Sequence, residues 1–249
     1  MVTERFEVGA ENSQPARAAL APGQRVYAVG DVHGCDAQLG ALHQAILDDL
    51  AARPVASPQL VHLGDYVDRG PDSAAVIARL MGRAPGGLAT TNLVGNHETM
   101  MRDALRGAGA AALNWLDNGG EATLESWKLS PLSPARGWRD GIGRPVLGFI
   151  ERLPRTHRVG PYLFVHAGVR PGVALAEQQE RDLLWIRQPF LDWSGDLGLG
   201  EPLVVVHGHT PTHEPEVLGH RIGVDTGACM GGKLTAVVLE GDDIRFLQV

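Results

Sequence analysis

The sequence RVYAVGDVHG at residues 25–34 is a short apolar run that ends in Gly30, Asp31 and His33. The β-branched and aromatic residues favour a strand over residues 25–29. In the extended backbone that follows, side chains two positions apart point to the same side, so Asp31 and His33 can approach one ion together. The same pair is also compatible with an aspartate that caps a helix beside a surface histidine. The segments downstream decide between these two interpretations.

The pattern of strand, glycine and polar residue recurs twice. GDYVDRG occupies residues 64–70 and GNHE occupies residues 95–98, each after an apolar run. Asp65 has two carboxylate oxygens and can bridge two cations, which sit roughly 3.5–4 Å apart in catalytic metal pairs and would otherwise repel each other. This recurrence favours a two-metal site over the helix-capping interpretation.

Neutral ligands complete the predicted site. Asn96 supplies an amide oxygen that limits the negative charge around the metals, and His166 follows another apolar run. His207 and His209 both follow a third run and lie on one side of an extended segment. We favour His209 as the direct ligand because the neighbouring Gly208 permits a close approach of the backbone. His207 is expected to orient it.

Strands and helices alternate through the first half of the chain, which is typical of an α/β fold whose ligands bind at strand ends. The strand and helix segments are predicted at residues 25–29, 36–52, 60–63, 72–81, 91–94 and 97–106. Residues 108–153 are predicted to be helices broken by a loop, forming a cap over the site. Further strands are predicted at residues 162–165, 203–206, 221–224, 234–239 and 244–247.

The composition predicts one domain over residues 24–249, since 249 residues with 44% hydrophobic content can form one substantial core. Residues 1–23 lack periodicity and are predicted to be a flexible or loosely docked extension. The net charge of −7 argues against nucleic-acid or membrane partners. Neither a signal-peptide pattern nor an apolar run of membrane-spanning length is present, so we expect a cytoplasmic location. No pattern indicates an oligomeric state.

GDVHG, GDYVDRG and GNHE, in this order and spacing, resemble the three signature motifs of the metal-dependent serine/threonine phosphatases among the calcineurin-like metallophosphoesterases. HAGV at residues 166–169 and GHTP at residues 208–211 match the histidine motifs of that family. Matches over residues 100–103 and 114–120 indicate its bacterial and bacteriophage branch. The resemblance implies an α/β sandwich of mixed β-sheets flanked by helices.

The resemblance also implies the roles of individual residues. The first metal would be held by Asp31, His33 and Asp65, and the second by Asp65, Asn96, His166 and His209. His97 would be the general acid, and Asp68 would orient it and raise its pKa. The phosphate would be clamped by Arg69 and Arg187. The two divalent ions are expected to be Mn²⁺, although oxygen and nitrogen ligands also accept iron or zinc.

The predicted reaction is hydrolysis of phosphate monoesters, foremost phosphoserine and phosphothreonine in proteins, by hydroxide that bridges the metals. A dinucleoside polyphosphate hydrolase is the main alternative, because such enzymes resemble the same family. They tend to lack a counterpart of Asp68 and often end the third motif in aspartate, whereas Asp68 and Glu98 are both present here. A non-catalytic binding or scaffold protein is disfavoured because every ligand of the set is present.

A few remaining residues are predicted to be structural. His43 is expected on a helix surface and His62 packed within a strand. Cys35 and Cys229 are expected to be small packing residues rather than redox sensors. Asp225 lies where the eukaryotic enzymes have a tyrosine-bearing loop, and it is expected to hold a neighbouring loop.

Overall fold

The computed structural model describes residues 18–107 and 109–249, and the first of its two five-stranded sheets joins strands from both ends of this region. Its strands are β1 (Gln24–Val29), β2 (Ser57–His62), β3 (Ala89–Asn92), β9 (Thr235–Glu240) and β10 (Asp243–Gln248). Their order is β10-β9-β1-β2-β3, with β1, β2 and β3 parallel and β9 antiparallel to both of its neighbours. The carboxyl ends of the three parallel strands therefore share one edge.

The second sheet is also mixed. Its strands are β4 (Thr156–Val159), β5 (Tyr162–Val165), β6 (Val204–His207), β7 (Glu216–Val217) and β8 (Arg221–Gly223). Their order is β4-β5-β6-β8-β7, in which β5, β6 and β8 are parallel. The predicted strands are confirmed with small shifts at their ends, whereas the short edge strands β4 and β7 were not predicted. Each has only one neighbour, so little of it is buried and no alternating pattern marks it in the sequence.

Helices occupy the predicted segments 36–52, 72–81 and 97–106 and the predicted helical region 108–153, whereas the short helix Glu180–Trp185 was not predicted. The helices are α1 (Asp36–Ala52), α2 (Ser73–Met81), α3 (Asn96–Leu105), α4 (Gly109–Trp115), α5 (Glu121–Ser126), α6 (Ala135–Ile142), α7 (Arg144–Glu151) and α8 (Glu180–Trp185). A π-helical turn at Leu116–Gly120 separates α4 from α5. The predicted sandwich of mixed sheets flanked by helices is thus confirmed.

Three apolar clusters hold these layers together. Alternate residues of β1 point to opposite faces, so Val26 and Ala28 lie in the cluster between the sheets while Tyr27 and Val29 lie in the cluster beneath the helices. A third cluster covers the outer face of the second sheet. Strands that are buried on both faces must be apolar throughout, which explains why the central strands lack a polar face.

The predicted N-terminal extension lies partly outside the described residues, which exclude positions 1–17 and 108. Within the described part, Leu20 is buried in the cluster between the sheets, and its backbone N–H donates to the Gly241 carbonyl at 2.8 Å. The Tyr162 hydroxyl donates to the Ala18 carbonyl at 2.9 Å. The segment just before β1 is therefore attached to the sandwich. No helix of the described ranges is long and apolar enough to cross a membrane.

The cluster between the sheets should contribute strongly to the stability of the fold. Phe164 is fully buried there, so we expect Phe164→Ala to lower the free energy of unfolding by about 3–5 kcal/mol, measured by urea denaturation. Leu132 is 97% exposed, and Leu132→Ala should change the unfolding free energy by less than about 0.5 kcal/mol. Equal effects of the two substitutions would contradict this assignment of the core.

Candidate metal centre

The residues predicted as metal ligands meet at the edge where strand ends of both sheets come together. Asp31 follows β1, Asp65 follows β2, and Asn96 begins α3. His166 and His209 follow β5 and β6 of the other sheet. All five side chains are buried. The ligands predicted from separate segments are thus collected in one place.

Glycines allow these segments to approach each other closely. A Cβ atom at position 95 would lie 2.1 Å from Oδ1 of Asp65, and one at position 208 would lie 2.1 Å from Oδ1 of Asp31. Any side chain at Gly95 or Gly208 would therefore displace a carboxylate of the cluster.

One oxygen of Asp65 lies at the middle of the cluster. Its Oδ2 is 3.5 Å from Nε2 of His33, 3.4 Å from Nε2 of His166 and 3.9 Å from Nε2 of His97. The other oxygen, Oδ1, accepts a hydrogen bond from the backbone N–H of His97 at 3.0 Å. Asp65 therefore faces both halves of the centre, as a bridging ligand must.

Hydrogen bonds to backbone carbonyls determine which ring nitrogens can bind a metal. Nδ1 of His33 lies 2.8 Å from the Val67 carbonyl, and Nδ1 of His166 lies 3.0 Å from the Leu63 carbonyl. A carbonyl only accepts, so each Nδ1 carries the proton and each Nε2 presents a lone pair. Both lone pairs face the carboxylate of Asp65. This convergence of electron pairs fits cations bound between them.

The second half of the centre has the same character. Oδ1 of Asn96 lies 2.7 Å from Nε2 of His166 and 3.0 Å from Nδ1 of His209. Asp65, His166 and His209 place ligand atoms within 4.8 Å of one another, and so do His33, Asp65 and His97. The two groups share Asp65 and could hold two neighbouring cations. The resemblance implies Asp31 as a ligand of the first ion and His97 as the proton donor beside it.

His207 lies outside both groups. Its Nδ1 is 3.0 Å from the Gly208 carbonyl, its Nε2 is 3.4 Å from Nη1 of Arg221, and its ring packs edge-on against Phe190. His209 therefore lies in one of the two candidate groups and His207 in neither, and the choice of His209 as the direct ligand stays a prediction.

Asp31 is joined by an acidic residue that the sequence interpretation left out of the site. The backbone N–H of His209 donates to both oxygens of Asp31 at 3.1 Å, and Asp225 lies close enough to Asp31 for each carboxyl to shift the pKa of the other. Asp225 follows β8, so the rule of polar residues at strand ends could have identified it. Burial and neighbouring carboxylates raise the pKa of Asp31 well above its usual range. Bound cations would reverse that shift.

His97 forms a buried pair with Asp68. Nδ1 of His97 lies 2.7 Å from Oδ2 of Asp68, and Asp68 also accepts hydrogen bonds from Nε1 of Trp115 at 2.9 Å and from the Thr123 hydroxyl at 2.7 Å. The overall shift of the His97 pKa is downward, not upward. Burial, with a smaller contribution from Arg69, lowers the pKa of His97 to about 3, while burial raises the pKa of Asp68 to about 7. Burial disfavours separated charges, so the pair is best described by one shared proton.

The two predicted arginines both lie near the cluster. Nη1 of Arg69 is 3.0 Å from Nε2 of His33, and the charges of Arg69 and the exposed Arg187 both act on His209 and Asp225. The centre therefore has two cationic side chains in its neighbourhood. The backbone N–H of Arg69 donates to the Gly119 carbonyl at 3.1 Å, which joins the loop after β2 to the cap.

Backbone strain is concentrated at the same place. Among the described residues other than glycine, positive φ angles occur at Lys128 and at five site residues: His33, Asp65, Asp68, Arg69 and His209. Such conformations cost of order 1–3 kcal/mol each and persist only where surrounding structure enforces them. Their clustering is typical of a functional site.

Glu98 helps to hold this strained backbone in place. Its buried carboxylate accepts hydrogen bonds from the backbone N–H groups of Asp65 at 2.9 Å, Tyr66 at 2.7 Å, Val67 at 3.3 Å and Gly95 at 2.9 Å. It therefore joins the loop after β2 to the start of α3.

Comparison with known proteins identifies similar chains. Residues 24–241 match the family model for calcineurin-like phosphoesterases. The Oceanobacillus iheyensis protein named bis(5'-nucleosyl)-tetraphosphatase PrpE [asymmetrical] is 27% identical over 230 residues, which cover 85% of this chain and 87% of its own. Salmonella typhimurium serine/threonine-protein phosphatase 1 is 30% identical over 225 residues, which cover 85% of this chain and 90% of its own.

A solved structure shows the same fold at lower identity. The cold-active protein tyrosine phosphatase superposes with a TM-score of 0.61 at 18% identity, over 93% of this chain and 81% of that chain. At this level of identity the likeness concerns the fold alone.

The two histidines after β6 should differ in metal binding. We expect His209→Ala to weaken binding of one of two Mn²⁺ ions by more than about tenfold, because a ligand atom is lost, whereas His207→Ala should retain both ions. Equilibrium dialysis with metal analysis measures both variants. Loss of an ion from His207→Ala alone would reverse the assignment.

The four backbone hydrogen bonds accepted by Glu98 form a clamp between the loop after β2 and the start of α3. This clamp should be essential for stability. Glu98→Ala leaves four buried N–H groups without their acceptor, so the free energy of unfolding should fall by more than about 3 kcal/mol. Glu125 is exposed on α5, and Glu125→Ala is the matched control, with an expected change below about 0.5 kcal/mol. Urea denaturation of both variants measures the difference. If the two variants unfold at the same urea concentration, the clamp is dispensable.

Proposed function

Because the chain is a member of the calcineurin-like phosphoesterase family, and so a phosphoester hydrolase, we propose that its substrates are phosphate monoesters, foremost phosphoserine and phosphothreonine in proteins. Similarity to Salmonella serine/threonine-protein phosphatase 1 supports the proposal. The observation that carries it is the buried pair of His97 and Asp68 beside the metal-binding groups.

The leaving group explains why this pair matters. A serine or threonine alkoxide is a poor leaving group unless it receives a proton, whereas the phosphate released from a polyphosphate needs much less help. Nδ1 of His97 is engaged with Asp68, so Nε2 is the nitrogen available to donate its own proton to the leaving group, while the proton shared with Asp68 stays on the Nδ1 side. Trp115 and Thr123 hold Asp68 in place from the cap. This arrangement favours monoesters of alcohols.

The remaining site residues bind and orient the substrate in this proposal. Asp31, His33 and Asp65 hold one cation, and Asp65, Asn96, His166 and His209 hold the other. When bound, two divalent ions lower the pKa of a water and polarise the phosphoryl oxygens. Arg69 and Arg187 pair with phosphate oxygens through their planar donors and align the phosphoryl group. Manganese in a cytoplasmic enzyme is our choice, although the ligand atoms also suit iron or zinc.

A dinucleoside tetraphosphate is the second candidate substrate. It is supported by the similarity to the Oceanobacillus protein, whose name assigns it that activity. The two substrate classes differ in whether the leaving group needs a proton, and this difference makes them distinguishable by mutation.

The proton donor provides the decisive test. For the Mn²⁺-loaded enzyme we expect His97→Asn to lower kcat for a phosphoserine peptide by about 10²–10⁴-fold, because the alkoxide then leaves unprotonated. The loss for p-nitrophenyl phosphate should be much smaller, since nitrophenolate leaves readily. Equal losses for both substrates would contradict the acid role.

Side-by-side assays of the unaltered enzyme compare the substrates. A phosphoserine peptide should have the larger kcat/KM, and diadenosine tetraphosphate the smaller. The opposite order would replace our proposal with the second candidate. A chelator should abolish both activities.

A further inference from the structure

A second group of histidines lies beside a cavity on the helix side of the first sheet, apart from the metal centre. The cavity has a volume of about 320 Å³ and lies between α1, α2 and the edge strand β3. Its polar lining includes His43 on α1, His62 at the end of β2 and Asn92 at the end of β3. His43 was expected on a helix surface, but it faces the sheet and is only 6% exposed. None of these residues has a role in the proposed reaction.

The two imidazoles form a directed hydrogen-bond chain. Nδ1 of His62 lies 2.7 Å from Oδ1 of Asn92, and Nε2 of His62 lies 2.8 Å from Nε2 of His43. The amide oxygen only accepts, so Nδ1 of His62 carries a proton and its Nε2 presents a lone pair to His43. Metal-binding histidines usually donate the N–H of their other ring nitrogen to an oxygen acceptor, as Nδ1 of His62 does to Asn92.

Both rings are neutral at physiological pH. Burial, followed by the charge of Arg79, lowers the pKa of His43 to about 4, and burial followed by His43 lowers the pKa of His62 to about 3. Arg79 itself is occupied, because its Nε and Nη2 donate to the Asp36 carboxylate at 2.7 and 2.8 Å. Protonation therefore does not compete for the imidazole lone pairs at neutral pH. Arg79 also lines the cavity, and its charge, which opposes any cation there, is countered by the paired Asp36.

The distance between the two nitrogens matches adjacent positions around a transition metal. Metal–imidazole bonds of about 2.0–2.1 Å separate two ligand nitrogens by about 2.9 Å at a right angle and about 3.3 Å at the tetrahedral angle. The observed 2.8 Å needs only a small widening. The cavity provides an entry path and room for the waters that complete the coordination.

We propose that His43 and His62 form a separate site for one divalent ion that prefers imidazole ligands, such as Zn²⁺, Ni²⁺ or Cu²⁺. The ion replaces the proton between the two Nε2 atoms. His43 changes tautomer, losing its Nε2 proton to solvent and taking up one proton at Nδ1, so no net proton is released. The site contains two histidines and no carboxylate, so Mn²⁺ is not expected to bind there.

This site shares no ligand with the main centre but lies close to it along the chain. His62 is followed by Leu63 and Gly64 before Asp65, and the His62 carbonyl accepts hydrogen bonds from the Leu93 N–H at 2.9 Å and the Tyr66 hydroxyl at 3.2 Å. Binding at the two sites can therefore be counted separately.

Zinc stoichiometry tests the proposal on the full chain. Equilibrium dialysis followed by metal analysis should give one more Zn²⁺ per chain for the unaltered protein than for His43→Gln or His62→Gln. His157→Gln is the matched control, since this half-buried histidine lies in the second sheet, and it should retain the extra ion. Equal stoichiometry of His43→Gln and the unaltered protein would overturn the proposal.

Crystals of the unaltered protein provide a test without substitutions. After soaking in Zn²⁺, anomalous density is expected within about 2.1 Å of both Nε2 atoms. Density at the main centre with none between His43 and His62 would overturn the proposal, even if the variants failed to fold.

Discussion

The buried carboxylate of Glu98 is the interaction on which the rest of the site depends. It accepts four backbone hydrogen bonds from two loops, and those loops carry Asp65 and Asn96. Burial raises the pKa of Glu98 to about 7, although the N–H groups of Gly95, Tyr66 and Val67 oppose this shift. Burying this carboxyl group costs free energy, and in return its hydrogen bonds hold two strand ends together. Without it, the ligands would belong to independent loops.

The same clamp helps to explain how the centre keeps a strained backbone at Asp65 and several electron-rich ligand atoms close together. Asp65 is held with a positive φ angle while the lone pairs of His33 and His166 point at its carboxylate. A flexible loop would relax both features by turning the aspartate towards solvent. The rigid edges of two packed sheets prevent this, so the site remains arranged for cations. Part of the stability of the sandwich is thereby used to maintain that arrangement.

Helices α4 and α5 of the predicted cap position a side chain of the candidate site. Asp68 lies in the loop after β2, but its carboxylate is held by Trp115 at the end of α4 and Thr123 on α5. The cap thereby sets the position of His97. Relatives with tetraphosphatase names and with protein phosphatase names are both similar to this chain.

The sequence alone determined the alternating strands, the glycine and polar residues at their ends, and hence the fold and the ligand candidates, because these depend on neighbours within a few positions. Only the tertiary structure decided three other features. It placed Asp225 against Asp31, buried His43 against His62, and lowered rather than raised the pKa of His97. Each depends on contacts or desolvation that arise only when distant segments pack together. Residue order does not encode the depth at which a side chain is buried, and burial sets both the cost of a charge and the partners within its reach.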